Sequence, residues 1–473
     1  MDGSIRRRKL GDDVQSMSTR YVQQIHHGKR TLGFQKYFII MIGVVTCFII
    51  FVGSYYQVLP WNVYTHGTSA LDNLALTLGI QKHTHAVVID AGSTGSRVLA
   101  FTFHQSYDGN LKLDRELFVE IKPGLSSFAE NPRKGAEKLE ELIEKAKEEI
   151  PRKSWAGTPL TIKATAGLRL LPPAKAEALL NEVRELCMTS PFHCTNTSVS
   201  IMDGVDEGLF SWFTVNFLLD RLGGHADKTV AALDLGGGST QITFALPDKK
   251  EILKKVPSKY VHQVSAFHTN LSVYTHSLLG LGLMAARKGV LSQGNTTGSK
   301  ALRSPCINPI ISTEWSYGGE TYIVMGPEKA SYEHIKGGKG EVSEERPIVK
   351  FGDCLKAIKE YVHGKVEKPV GLEGHEINAF SYYFDRAVEV GLIDPFRGGV
   401  ITVEKFTKAA KSACAYPNAD QPFMCLDLAF ISVLLQDGFF LTPQTKLHLF
   451  KKIDNHEISW ALGAAFHLLQ NGF

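Results

Sequence analysis

No two cysteines of this chain stand at C-x-x-C spacing, so its seven cysteines offer no zinc-ribbon pattern. No excess of one charge runs through the body of the sequence. The formal net charge is +4, yet residues 1–36 alone hold Arg6, Arg7, Arg8, Lys9, Arg20, Lys29, Arg30 and Lys36 against Asp2, Asp12 and Asp13. The rest is close to neutral, which argues against a nucleic-acid binder working through a broad basic surface. Apolar residues are not scarce: 44% are hydrophobic and 21% charged, so global disorder is excluded as well. At roughly 100–200 residues per domain, two or three domains are expected.

One long apolar run is present, and only one. Tyr37 to Tyr56 carries no charge, and none follows until Asp72. A helix of about 20 residues rises about 30 Å, enough to cross the hydrocarbon core. The basic flank lies on its N-terminal side, so residues 1–36 are expected as a cytoplasmic tail, 37–56 as a transmembrane signal anchor and 57–84 as a stem. The lead and the apolar core are both long for a cleaved signal peptide, and no clear small-residue cleavage site follows. The remaining cysteines, six in number, suit disulfides in an oxidising compartment. Sequence proximity favours Cys306–Cys354 and Cys414–Cys425 and suggests Cys187–Cys194. Sequons start at Asn196, Asn270 and Asn295 and predict lumenal glycosylation.

From His85 onward, strand and helix patterns alternate, which predicts an α/β fold. Residues 86–90, 97–103, 117–122, 160–165 and 198–203 read as strands. Residues 134–150 and 174–186 read as amphipathic helices, 326–349 as a polar surface loop and 454–469 as a buried helix. One repeat stands out. VVIDAGSTGSRVLAF (87–101) and AALDLGGGSTQITFA (231–245) align without gaps: an apolar strand, an aspartate, a Gly/Ser/Thr turn, a second apolar strand. Such turns let backbone N–H groups converge on an anion. Ser93, Thr94, Gly95 and Ser96 would bind phosphates from one side, and Gly236, Gly237 and Gly238 from the other. Asp90 and Asp234 would repel a phosphate unless a cation stood between, which points to a hydrated Mg²⁺ or Ca²⁺ held through water. Neither turn fits G-x-x-x-x-G-K-[ST], nor G-x-G-x-x-G opening a helix, so a P-loop is excluded and a dinucleotide fold disfavoured.

DAGSTGSR (90–97) and DLGGGSTQI (234–242) resemble the phosphate loops of the actin, hexokinase and chaperone ATPase superfamily. More closely, they resemble two of the five signature regions of the apyrase family, the nucleoside triphosphate diphosphohydrolases. The other regions follow in order: KATAGLRLLP (163–172), IMDGVDEGLFSW (201–212) and DNHEISWALGA (454–464), with YTHSLLGLGLMAAR (274–287) a further match. The resemblance implies two RNase H-like lobes around an active-site cleft, the first from 85–203 and 438–473, the second from 204–437. It implies Glu207 as the base that activates water, chosen over Asp206 because the family glutamate directly precedes a glycine. Ser239 and Gln241 would orient that water, with Thr165 lining the site. Tyr382 or Tyr383, in FSYYFD (380–385), would stack on the base. Arg97 and Arg169 suit either phosphate contact or structural ion pairs, and Trp460 suits packing.

Cell-surface members of that family carry a second membrane span and read S-S-H-T and G-G-A-S in the two loops; this chain reads STGS and GGGS. The resemblance is therefore to single-anchor secretory-pathway members acting on GDP, UDP and IDP. A Golgi membrane location with a lumenal catalytic domain is expected, with endoplasmic reticulum, cell surface or release by stem cleavage as alternatives. The expected partners are a nucleotide and the membrane, with no nucleic acid, in a monomer. A broader apyrase cleaving triphosphates too is the alternative activity. A glycosyltransferase would share the anchor and stem but lacks a D-x-D metal motif here. A kinase, a chaperone-like ATPase, an exopolyphosphatase and a non-catalytic receptor complete the alternatives.

Overall fold

Two hairpins found the two large sheets. The computed structural model describes residues 37, 41–46, 48, 49, 72, 74–106, 109–248, 250–267, 269–335 and 344–470. The first hairpin joins β1 (His83–Ala91) to β2 (Ser96–Gln105). With β3 (Leu111–Ile121), β4 (Leu160–Ala164) and β5 (Val199–Ile201) it forms a five-stranded sheet ordered β3-β2-β1-β4-β5. β1 runs parallel to β4, with Asp90 opposite Lys163, and β4 runs parallel to β5. β1 is buried from His85 onward, as a strand covered on both faces must be.

Two helices cover one face. α1 (Pro132–Glu149) starts on Asn131, whose side chain accepts from the Lys134 N–H at 3.3 Å, with proline in its first turn. It buries Leu139, Leu142, Ile143 and Ala146. α2 (Pro173–Thr189) buries Leu179, Leu180 and Val183 beside them. α3 (Gly204–Leu218) then leads to the second hairpin, β6 (Ala231–Leu235) and β7 (Ser239–Ala245).

The second sheet adds β8 (Val261–Ala266), β9 (Thr269–Leu279), β10 (Ile377–Ser381), β11 (Gly399–Thr402) and β12 (Lys446–Leu449), in the order β11-β12-β10-β6-β7-β9-β8. Its run β9-β7-β6-β10-β12 repeats the order of the first sheet, and β6, β10 and β12 are parallel like β1, β4 and β5. The sequence repeat is thus a repeat of architecture. Helices α4 (Leu283–Leu291), α5 (Tyr382–Glu389) and α6 (Met424–Val433) pack on this sheet, and α7 (Trp460–Gln470) comes last.

Several expectations need correction. Residues 438–449 were expected in the first lobe, but β12 pairs with β10 in the second sheet, Ile377 opposite Leu447. The helix expected over 454–469 begins only at Trp460. Asp454 and Asn455 take φ of 49° and 67°, turning a short hairpin of Lys452–Ile453 against His456–Glu457. The polar stretch 326–349 is not all loop: Ser331–Ile335 pairs antiparallel with Glu344–Ile348. Strand β1 starts inside the expected stem.

The expected span at 37–56 falls mostly outside the described residues; Tyr37, 41–46, Phe48 and Ile49 are helical. Among the described residues no helix is long and apolar enough to cross a membrane. The tail 1–36 and most of the stem also lie outside them. Backbone packing divides the chain into two units: residues 1–83 with 104–112, and residues 84–103 with 113–473. Within the first, Lys112 Nζ donates to Asp72 at 3.0 Å. Both sheet cores belong to the second. All three expected disulfides are present: Cys187–Cys194, Cys306–Cys354 and Cys414–Cys425.

Candidate active site

The two hairpin turns meet. A Cβ on Gly237 would collide with Ser93 Oγ and lie 2.8 Å from Thr94 Cγ2, so a side chain here would have to displace those of the first turn. The Gly236 and Gly237 carbonyls are taken by the first N–H groups of α4, from Leu283, Met284 and Ala285, at 2.9–3.0 Å. The N–H groups of Ser93, Thr94, Gly237 and Gly238 find no protein acceptor among the described residues, which leaves them for a ligand. The turns open onto a cavity of about 570 Å³.

Asp90 and Asp234 sit at matching ends of β1 and β6 on its wall, only 7% and 8% exposed. Arg97 Nη1 donates to Asp90 Oδ2 at 3.2 Å, and Ser211 Oγ to Asp234 Oδ2 at 3.5 Å. The other oxygen of each, Oδ1, is buried without a partner. Burial pushes the Asp90 carboxyl up to about 6 against the pull of Arg97, with Asp234 nearby raising it further. Asp234 is raised by burial too. Two orphaned carboxylate oxygens beside turns with unused N–H groups are the donor chemistry of a hard divalent cation. Among the described residues no three His, Cys, Asp or Glu side chains cluster to ligate one directly. The residues therefore fit a hydrated Mg²⁺ or Ca²⁺, held mostly through water.

Glu207 enters the cavity from the first turns of α3. Asp203 caps that helix, its side chain accepting from the Val205 N–H at 2.7 Å. Glu207 is 7% exposed and ion-paired to Arg169. Burial lifts its carboxyl to about 8; Arg169 opposes this, while Asp234 and Asp90 add to it. Asp206 does not line the cavity: it stands among Asp203, His467, Lys163 and His262. Of the two adjacent acids, only Glu207 lines the cavity.

Behind Glu207, Gln241 Nε2 donates to Ser239 Oγ at 2.8 Å and to Ser277 Oγ at 3.0 Å. Its Oε1 is buried and unpartnered, free to accept from a water. Ser277 lies directly across the β7–β9 ladder from Gln241. It was missed from the sequence although it falls in the YTHSLLGLG segment. Thr165 lines the cavity and precedes the helical turn Ala166–Arg169 that carries Arg169.

Of the expected phosphate ligands, Ser93, Thr94, Gly236, Gly237 and Gly238 line the cavity. Gly95 and Ser96 do not; Ser96 is the first, buried residue of β2. Tyr382 is on the wall, whereas Tyr383 is 0% exposed in the core, because neighbouring helix positions point about 100° apart. Of the two tyrosines expected at the base, Tyr382 or Tyr383, only Tyr382 faces the cavity. Arg97 bridges Asp90 and Glu120, and Arg169 pairs with Glu207, so both make ion pairs. Trp460 is buried at the cavity edge. Asn196 and Asn270 are exposed; Asn295 is half-buried, its amide donating to Ser299 O at 2.7 Å. Also on the wall, and unforeseen, are Glu120, Lys122, Arg386, Glu389 and Lys451.

This chain is similar to several known proteins. The profile of the GDA1/CD39 (nucleoside phosphatase) family matches residues 78–472. Nucleoside diphosphate phosphatase ENTPD5 from Homo sapiens is 44% identical over 393 residues, 82% of this chain and 88% of that protein. Ectonucleoside triphosphate diphosphohydrolase 6 from Homo sapiens is 40% identical over 397 residues, 82% of this chain and 77% of that protein. Among solved structures, nucleoside triphosphate hydrolases from Neospora caninum match with a TM-score of 0.56 at 16% identity, over 87% of this chain and 97% of that one.

Proposed function

The chain belongs to the GDA1/CD39 (nucleoside phosphatase) family, and from that premise we propose that it hydrolyses the terminal phosphoanhydride of nucleoside diphosphates, with GDP, UDP and IDP preferred, to a monophosphate and phosphate. One observation carries the reading: a buried carboxylate, Glu207, stands in the same cavity as two facing Gly/Ser/Thr turns with unused N–H groups. The turns bind and orient the terminal phosphate. Glu207 takes a proton from water as its oxygen attacks phosphorus, and the nucleoside monophosphate leaves from the opposite side. Gln241, held by Ser239 and Ser277, positions that water. The Arg169 guanidinium paired to Glu207 opposes the effect of burial and favours the charged, proton-accepting form of the base. A Mg²⁺ or Ca²⁺ held through water by Asp90 and Asp234 would neutralise phosphate charge.

The paired cysteines favour an oxidising, lumenal compartment. With the apolar run at 37–56, this supports a Golgi type II anchor, a monomeric lumenal enzyme and glycosylation at Asn196, Asn270 and Asn295. The role follows: clearing the nucleoside diphosphate left by glycosyl transfer. The test is phosphate release from UDP, GDP, IDP, ADP, CDP, ATP and UTP, each with Mg²⁺, Ca²⁺ or EDTA. Metal-dependent release from UDP and GDP with little from ATP is expected. Equal use of ATP would make it a broader apyrase, and EDTA-insensitive turnover would remove the cation.

A further inference from the structure

Arg97 on β2 and Gln241 on β7 occupy the same place in the two aligned hairpins. Each is met from the next strand of its sheet, Gln241 by Ser277 on β9 and Arg97 by Glu120 on β3. Ser277 holds the Gln241 amide nitrogen, and the Gln241 oxygen is left unpartnered. The first hairpin does the same with different groups. Glu120 holds one arm of Arg97, and an oxygen of Asp90 is left unpartnered. The phosphate chemistry leaves this second pair without a task.

Its geometry departs from the common one. A guanidinium and a carboxylate frequently meet fork to fork, two N–H groups on two oxygens. Here Arg97 Nη1 donates to Asp90 Oδ2 alone, at 3.2 Å, and Asp90 Oδ1 is buried with no partner. The other arm, Nη2, is turned to Glu120 Oε1 at 2.7 Å. The shorter contact is thus the one that points away from Asp90. Glu120 Oε2 has Lys122 at 3.9 Å, a loose contact to a side chain that is 70% exposed. The turn glycines leave this clamp its room. A Cβ on Gly92 would stand 3.2 Å from Arg97 Nη1, and one on Gly95 2.8 Å from Glu120 Oε1. Asp90, Arg97 and Glu120 all line the cavity.

We propose that Glu120 is a positioning residue: by holding one arm of Arg97 it prevents a two-armed grip on Asp90 and keeps Oδ1 open to the water shell of a divalent cation. This rests on the reading of a cation-dependent phosphatase. Glu120 acts through Arg97. Without its acceptor the guanidinium closes on both oxygens of Asp90, and the carboxylate loses the lone pairs it presents to the cavity.

The experiment compares the unaltered protein with Glu120→Ala and Glu120→Gln. One readout is the Mg²⁺ or Ca²⁺ concentration that half-saturates phosphate release from UDP. The other is the rise in unfolding midpoint on adding Ca²⁺ with the non-hydrolysable α,β-methylene analogue of UDP. Glu120→Ala should raise the half-saturating concentration about tenfold and shrink the midpoint rise, as loss of a partner behind a metal-holding carboxylate does. KM for UDP at saturating cation should barely change. Glu120→Gln keeps a carbonyl oxygen for Nη2 and should stay within about threefold of the unaltered protein. Equal losses in the two variants would mean that the charge of Glu120 matters and not its grip, which overturns the assignment. An unchanged cation requirement in a folded Glu120→Ala protein overturns it too, as does a lower KM for UDP, the sign that Arg97 turns to phosphate instead. Should Glu120→Ala not fold, Glu120→Thr suits a strand, is too short to reach Nη2 and carries the same expectation. Turnover and midpoint of the unaltered protein that ignore Mg²⁺, Ca²⁺ and EDTA would remove the cation itself, and the assignment with it.

Discussion

Glu207 and Asp206 are neighbours in sequence with opposite fates in space. Glu207→Gln should lower kcat by roughly 10²–10⁴-fold, the usual worth of a general base, while nucleotide binding measured directly persists. Asp206→Asn should leave turnover within about twofold, since Asp206 lies off the cavity wall. Full activity in the Glu207→Gln protein would end the base assignment. Ser277→Ala removes one of the two hydroxyls that hold the Gln241 amide. It should cut kcat about tenfold at nearly constant KM, with Ser277→Thr restoring it. A rise in KM alone would mean that Ser277 shapes binding instead. Glu116 makes a separate, pH-dependent prediction. Its side chain is 4% exposed, and burial and Glu457 raise its carboxyl to about 7, against a backbone N–H from Glu457 and the charge of Lys452. The folded state then binds its proton more tightly than the unfolded chain. This contribution is present in full below the ordinary carboxylate value and is lost as pH rises toward 7. Glu116→Gln should therefore stabilise the protein at pH 8, by up to about 3 kcal/mol, and have little effect near pH 4. Denaturant midpoints at the two pH values decide it.

Elements differ in how far they can be foreseen. α1 was legible because Leu139, Leu142, Ile143 and Ala146 recur at helical spacing on a charged background, and the structure starts it on the Asn131 cap. The hairpins were legible because an aspartate and a run of small residues interrupt apolar strands twice in the same way. The strands Ser331–Ile335 and Glu344–Ile348 were not, because polar residues on both faces leave no alternation to read. The late start of α7 was hidden for another reason: its apolar run is continuous with the motif before it, and the reversal at Asp454–Asn455 is a backbone event. Close approach at Gly463 gives this element its test. A Cβ there would stand 2.5 Å from the Phe210 carbonyl oxygen, while the Gly463 N–H donates to Thr214 Oγ1 at 3.0 Å. Gly463→Val should displace α7 from α3 and cost several kcal/mol, seen as a lowered unfolding midpoint and loss of activity. An unchanged midpoint would mean that the contact is slack.

At the scale of the molecule, the architecture and the five motifs were readable, but the cavity wall was only half so. Asp90, Glu207 and the two turns announced themselves as local patterns. Ser277 and Arg386 did not, because each acts with a partner far away in sequence, Gln241 and Asp427. The Cys306–Cys354 bond shows the same long reach, closing 48 residues of the second sheet's surround. Replacing both cysteines by alanine should cost about 4 kcal/mol by chain-entropy arithmetic, measured as a drop in the denaturant midpoint. The helix α7 has a consequence for the order in which the protein is made. Its Phe466 ring lies 5.0 Å from Phe213 and 5.1 Å from Phe217 on α3, and 6.2 Å from Phe103 on β2. Those partners are synthesised roughly 250 residues or more before it. A nascent chain can form both sheets while the aromatic seam between them stays open to solvent and chaperones. The aromatic seam on α3 and β2 is therefore closed only once Phe466 has been made.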